Sequence, residues 1–212
     1  QTSGIEAGDI VALIGDYSLR GIAALLALVE LQAIIVPITS ASNEEAEERK
    51  REVNALWQIV ATKEIEIKRL ITKEIEAHSL IQCVREAKHA GIVLFSSGST
   101  SRPKAMIHDA NSFLKRFENK RPRKRRILIF LLFDHIGGLN TLFNALAMGA
   151  CIIVPASRDP DMVAESMAEH GANLLPASPT FLNLLLMSGA AQRYDLSKLR
   201  FITYGTEPMP ES

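Results

Sequence analysis

Cysteine is nearly absent: Cys83 and Cys151 are the only two among 212 residues. Two isolated thiols make neither a disulfide framework nor a metal cluster. Each sits in an apolar run, so both read as reduced core residues of a cytoplasmic protein. Net charge is absent as well, with 24 basic side chains against 24 acidic ones. That balance gives no reason to expect nucleic acid or a membrane surface as partner. The longest apolar run, ILIFLLF at 127–133, is far short of the about 20 residues that cross a bilayer, so no membrane span is expected. No signal peptide, internal repeat or low-complexity segment is visible. The chain opens on Gln1 rather than methionine and closes on TEPMPES, and both ends read as mid-domain sequence.

What is present is apolar content. Hydrophobic residues make up 47% of the chain, enough to bury a core and to exclude disorder. The length suits one large or two small domains. Apolar runs alternate with helical patterns throughout. DIVALIG reads as a strand, LRGIAALLALVELQ as a mostly buried helix and AIIVPI as the next strand. SNEEAEERKREVNALWQ reads as one helix, capped by Ser42 or Asn43, acidic in its first turn and apolar at Val53, Leu56 and Trp57. IVAT is a short strand. HSLIQCVREAKHA is helical, with Leu80, Cys83, Val84 and Ala87 at helical spacing, and GIVLFS is a strand. The stretch KEIEIKRLITKEIEA at 63–77 suits an edge strand or a helix.

The second half repeats the alternation. ANSFLKRF is helical, RILIFLLF a strand, LNTLFNALAMG a helix and ACIIVPA a strand. DPDMVAESMAEHG is a helix ended by Gly171, ANLLPAS a short strand, PTFLNLLLMSG a helix opened by Pro179, and LRFITYG a last strand. The pattern predicts an α/β fold with mostly parallel sheets covered by helices on both faces.

One loop carries chemistry. In LFSSGSTSRPKAMIH an apolar strand ends in Ser96, Ser97, Gly98, Ser99, Thr100 and Ser101, followed by Pro103 and Lys104. The hydroxyls donate hydrogen bonds, Gly98 lets backbone approach a ligand, and successive N–H groups can form an anion-binding nest. Lys104 adds positive charge. The set suits a polyphosphate, although it is not the G-x-x-x-x-G-K-[ST] P-loop, because a second glycine and the hydroxyl after the lysine are missing. A Ser-rich surface turn is the plainer alternative. A position after a buried strand favours the ligand, since α/β folds bind at the carboxyl ends of strands.

This stretch resembles the phosphate loop of the adenylate-forming superfamily: acyl-CoA synthetases, aryl-CoA ligases, peptide-synthetase adenylation domains and luciferases. Ser96, Ser97, Gly98, Ser99, Thr100, Pro103, Lys104 and Ala105 fit its motif, while Ser101 stands where glycine is usual. GDIVALIGDYSLRGIAALLALVELQAIIVPI is similar to the family's first strand–helix–strand, with Gln32 where glycine is preferred. FDHIGGLNTLFNALAMGACIIVP is similar to its acyl-pocket segment through His135, Ile136, Gly137 and Gly138. LLPASPTFLNLLL matches a further helix. In DLSKLRFITYGTEPMPES, Tyr204, Gly205, Thr206, Glu207 and Pro208 occupy positions that in the family lie beside adenine and acyl group. YGTE also approaches the family's Y-G-x-T-E magnesium motif but is one residue short, so Glu207 is not assigned to metal.

The resemblance implies an incomplete adenylation-domain fold, the amino-terminal part of the large domain. Residues 1–90 are the first strand–helix units, 96–104 the phosphate loop and 105–212 a second α/β portion, with the carboxyl-terminal parts absent. It implies that the parent enzyme activates a carboxylic acid with ATP and Mg2+ and passes the acyl group to a thiol, coenzyme A or a carrier protein, as in fatty acid metabolism. The piece alone is expected to be inactive. Lys104 and Thr100 would be catalytic. Ser96–Ser101, Lys104, Gly205, Thr206, Glu207 and Pro208 would bind nucleotide, and His135 to Gly138 would line the acyl pocket. A non-catalytic nucleotide-binding or interaction module of the same fold is the alternative. His108 faces the nucleotide side or simply ends a strand, and His78, His89 and His170 read as surface residues without partners. The basic run KRFENKRPRKRR at 115–126 reads as a solvated loop, not a nucleic-acid site.

Overall fold

The computed structural model describes residues 4–39, 42–70, 76–96 and 104–205. The chain forms two compact units. The first comprises residues 1–116 with Phe133–His135, and the second Phe117–Leu132 with residues 136–212.

The first unit is built on a six-stranded sheet. Its strands are β1 (Ile10–Ile14), β2 (Ile34–Ile38), β3 (Trp57–Ala61), β4 (Ile65–Arg69), β5 (Gly91–Ser96) and β6 (Lys104–Asp109). Their spatial order is β4-β3-β1-β2-β5-β6. The four inner strands are parallel, and β4 and β6 close the edges antiparallel. The centre of the sheet is buried on both faces, which is why IVALI and IIVPI are continuous apolar runs rather than alternating ones. Pro37 has no N–H to donate, and the β2–β5 ladder covers only Ile34 and Ile35, before it.

Helix α1 (Leu19–Glu30) starts where Ser18 accepts the Gly21 N–H, and it buries Gly21, Ala24, Leu25 and Leu28 at helical spacing. A Cβ on Gly21 would lie 2.5 Å from the Asp16 carbonyl oxygen, so glycine is what this close approach requires. Helix α2 (Asn43–Glu52) is capped by Ser42, with Glu44 and Glu45 in its first turn. Helix α3 (Ser79–Glu86) buries Ile81 and Val84 into the core formed with Ile10, Ile34, Val36, Val53 and Val93. Helix α4 (Ala110–Leu114) follows β6 directly, capped by Asp109, and a 3-10 turn at Lys115–Phe117 extends it.

The second unit carries four parallel strands: β7 (Arg126–Leu128), β8 (Cys151–Ile153), β9 (Leu174–Ala177) and β10 (Phe201–Tyr204), in the order β10-β9-β7-β8. Helices α5 (Ile136–Ala147), α6 (Pro160–His170), α7 (Pro179–Met187) and α8 (Ala190–Arg193) connect them. Leu128, Phe130, Val163, Met167, Leu175 and Phe181 form its core, and the Phe130 and Phe181 rings lie 4.3 Å apart. Helix α6 takes Asp159 as cap, Pro160 in its first turn and Gly171 in the left-handed conformation at its end.

The alternation and the parallel sheets match the sequence expectation; within 63–77, Ile65–Arg69 form the edge strand β4, and residues 71–75 lie outside the described residues. Four readings need correction. Cys83 and Cys151 are free but exposed, not core: α3 turns Ile81 and Val84 inward, leaving Cys83 and Leu80 outside. Trp57 begins β3 instead of ending α2, which stops at Glu52. Of 127–133, only Ile127 and Leu128 belong to a strand; Ile129, Phe130 and Phe133 are buried without being part of one. His89 is not a lone surface residue, since its Nδ1 lies 2.9 Å from Asp109 Oδ2, and His78 caps α3 by accepting the Leu80 N–H.

Candidate active site

The carboxyl ends of β1, β2, β3 and β5 share one edge of the first sheet. Ser96 ends β5 and Lys104 begins β6, and the two are register partners in the antiparallel pair. Residues 97–103 join them, so the hydroxyl-rich loop departs from the edge where such folds bind ligands. Its own residues Ser97, Gly98, Ser99, Thr100 and Ser101 lie outside the described residues. Ser96 is half-buried and Lys104 exposed. His108 pairs with Ile92 inside β6, and burial pushes its pKa below the ordinary histidine value, which favours the neutral ring at pH 7.

His135 is exposed at the end of a short segment, Phe133–His135, that belongs to the first unit. Two contacts fix this segment. The buried Phe133 ring meets Tyr17 edge-on at 5.2 Å. Asp134 Oδ2 accepts the Thr39 N–H at 3.2 Å and Arg49 Nη1 at 2.9 Å. Thr39 directly follows β2, so Asp134 is tied to the same carboxyl edge as Ser96. Both ion-pair partners are shielded, with side-chain exposures of 16% for Arg49 and 11% for Asp134. Arg49 also bonds Glu45 one helical turn away, and its guanidinium carbon stands 5.4 Å from the centre of the Phe95 ring. Phe95 is the residue before Ser96. The Arg49–Asp134 pair therefore braces both the start of the loop and the segment carrying His135.

Sequence reasoning missed Thr39, Arg49 and Asp134. Asp134 lay inside the FDHIGG motif, but Arg49 sits 85 residues away in a charge-rich helix with nothing to single it out. Ile136, Gly137 and Gly138 form the first turn of α5; Gly138 is buried and the Gly137 carbonyl accepts the Thr141 hydroxyl. Gly205 follows β10 in the second unit, where a Cβ would meet nothing within 4 Å. Thr206, Glu207 and Pro208 lie outside the described residues. In the basic run, Arg116 stacks on Phe113, Arg125 on Phe201, and Arg126 Nε donates to the His170 carbonyl.

The family model for AMP-binding enzymes matches residues 1–212. The chain belongs to the AMP-binding enzyme family. Among curated relatives of the chain is phenyloxazoline synthase MbtB of Mycobacterium sp. (strain MCS), 27% identical over 207 residues, covering 90% of this chain and 18% of that protein. Indoleacetate–CoA ligase of Aromatoleum aromaticum is 28% identical over 126 residues, covering 57% of this chain and 25% of the ligase. The chain thus spans a quarter or less of these relatives. Among solved structures, the inhibitor-bound N-terminal domain of FACL13 from Mycobacterium tuberculosis superposes with a TM-score of 0.75 at 22% identity, over 98% of this chain and 59% of that one. The o-succinylbenzoate CoA synthetase MenE of Bacillus subtilis, solved with its acyl-adenylate intermediate, gives 0.68 at 17% identity, over 97% and 57%. The fold of the chain is that of the amino-terminal portion of adenylate-forming enzymes.

A hydroxyl and a cation, Ser96 and Lys104, flank the loop, and no carboxylate ends β5 or begins β6. Among the described residues no three His, Cys, Asp or Glu side chains gather into a cation site.

Proposed function

We propose that the protein containing this chain activates a carboxylic acid with ATP and transfers the acyl group to coenzyme A. The carboxylate oxygen attacks the α-phosphorus, a P–O bond to the departing pyrophosphate breaks, and an acyl-adenylate forms. The thiol then displaces AMP from the acyl carbon. In this reading Lys104, Ser96 and the hydroxyls of residues 97, 99, 100 and 101 hold the leaving pyrophosphate, a matter of position and charge. His135 and Ile136 to Gly138 face the acyl group, and Gly205 to Pro208 attend the nucleotide.

The observation that carries the reading is the pairing of Ser96 with Lys104 at the carboxyl edge of four parallel strands, in a chain of the AMP-binding family. Coenzyme A as acceptor draws on relatives named as CoA ligases and an acetyl-coenzyme A synthetase. The test is stopped-flow formation of acyl-adenylate by the full-length protein, beside a melting curve. Lys104→Ala should slow adenylation roughly ten- to hundredfold, the value of one charge-assisted contact, with Tm nearly unchanged. An unchanged rate, or an effect confined to unfolding, would make the loop structural. Product analysis with coenzyme A against a carrier-protein thiol then identifies the acceptor.

A further inference from the structure

The opposite edge of the first sheet holds a cleft of about 430 Å³. It lies at the amino ends of β1 and β3, beside the end of β4 and the residues preceding β5, so a strand length separates it from Ser96 and Lys104. Its charged lining consists of Glu6, Asp9, Arg69, Arg85, Lys88 and His89, and Gln32 and Trp57 are among its other walls.

Two of these groups are already committed. Asp9 Oδ2 accepts both the Trp57 indole N–H and the Glu6 backbone N–H, each at 2.9 Å. His89 is held by Asp109. Arg69 lies with its guanidinium carbon 5.4 Å from the Trp57 ring centre. Arg85 is different. Its Nε donates to the Gly8 carbonyl at 2.9 Å, which aims the guanidinium without neutralising it. Gly8 makes room for this, since a Cβ there would meet Arg85 Cγ at 3.2 Å. Among the described residues, neither Arg85 nor Lys88 has a carboxylate partner. The cleft therefore holds two cations with hydrogen-bonding capacity to spare.

Two helix ends meet the same cleft. Four described non-glycine residues have positive φ: Gln32, Asn54, Lys88 and Asn119. Asparagine tolerates that conformation, whereas glutamine and lysine rarely adopt it. The two that are not asparagine, Gln32 at 61° and Lys88 at 53°, both line this cleft. Both residues close a helix, α1 and α3, in the left-handed conformation, with the following N–H bonded back to Leu28 and Val84, and glycine would suit both backbones better.

We propose that this cleft is a second ligand site, taking a small phosphate-bearing molecule on Arg85 and Lys88 with Gln32 as an additional polar contact. It stands apart from the loop at 96–104 and does not depend on the function proposed for that loop.

Trp57 is the only tryptophan in the sequence, so its fluorescence reports on this cleft and nowhere else. Inorganic pyrophosphate and, separately, AMP are titrated into the Lys104→Ala protein at constant ionic strength, with calorimetry in parallel. A saturable signal with pyrophosphate alone assigns the site to free phosphates; one stronger with AMP assigns it to organic phosphates. Arg85→Gln should weaken binding tenfold or more. Lys88→Gly and Gln32→Gly should weaken it too while leaving Tm unchanged or raised, because glycine relieves the backbone. The proposal is overturned if neither probe gives a saturable response by either method, if sodium chloride reproduces the response, or if Arg85→Gln and Lys88→Gly bind as tightly as the parent.

Discussion

Arg49 meets two carboxylates of unequal burial. Glu45 is half exposed on the same helix, and a pair of that kind contributes little. Asp134 is shielded and arrives from a distant part of the sequence. Removing one member of a shielded pair strands the other charge, which costs about 3 kcal/mol or more. Arg49→Met should lower unfolding free energy by that order in urea titrations, and Asp134→Leu by less, since Arg49 keeps Glu45. The double variant Arg49→Met/Asp134→Leu should recover most of the loss, because no charge is left buried. A double variant as unstable as the sum of the singles would show that the two residues do not act on each other.

At the scale of elements, the turn from β6 into α4 hangs on Asp109. Burial alone would raise its pKa, but the Ser112 N–H, the His89 ring and the Ser112 hydroxyl together hold it below the ordinary carboxylate value. The folded state thus favours the ionised form. The stabilisation is fully present above the unfolded pKa of about 3.9 and disappears as pH falls through the lower folded value. Asp109→Asn keeps a helix cap while removing the charge. Its stability deficit should be present at pH 6 and shrink below pH 4 in melting experiments, and a deficit independent of pH would exclude the ionic contribution. The same region shows how far sequence patterns carry. Ser42, Gly171 and Pro179 punctuate helices through local chemistry and were readable. Of the strand β6 only a possible end at His108 was readable, because Lys104–Asp109 is held by its ladder to β5 rather than by an alternation of its own. Trp57 shares helical spacing with Val53, which masked the break after Glu52. The run at 127–133 was read as one strand from hydrophobicity, which records burial; strand length is set by the partner, and β8 is three residues long. The loop at 96–104 stood out because its chemistry is contiguous. The Arg49–Asp134 brace and the cleft around Arg85 did not, since both are assembled by the sheet from remote segments.

For the molecule as a whole, the zero net charge leaves little electrostatic repulsion between copies. Strand β10 lies at an edge of the second sheet and exposes Phe201, Ile202 and Tyr204 at 46%, 47% and 56%. An exposed apolar edge strand is a template for pairing with another chain. Light scattering of the 212-residue chain by itself should therefore show association that rises with protein concentration. Ile202→Lys should suppress it without lowering Tm. A monodisperse parent at the highest concentrations, or an undiminished association in the variant, would exclude β10 as the adhesive edge.

The partition of the chain has a consequence for synthesis. A ribosome delivers Arg49 first and Asp134 85 residues later. At about 5–20 residues per second, the arginine waits on the order of 5–20 s for its buried partner. Glu45 is present from the start and lies in reach of the same guanidinium. A placeholder role for Glu45 in that interval predicts that Glu45→Gln slows refolding more than it lowers equilibrium stability, read by stopped-flow refolding beside a urea titration.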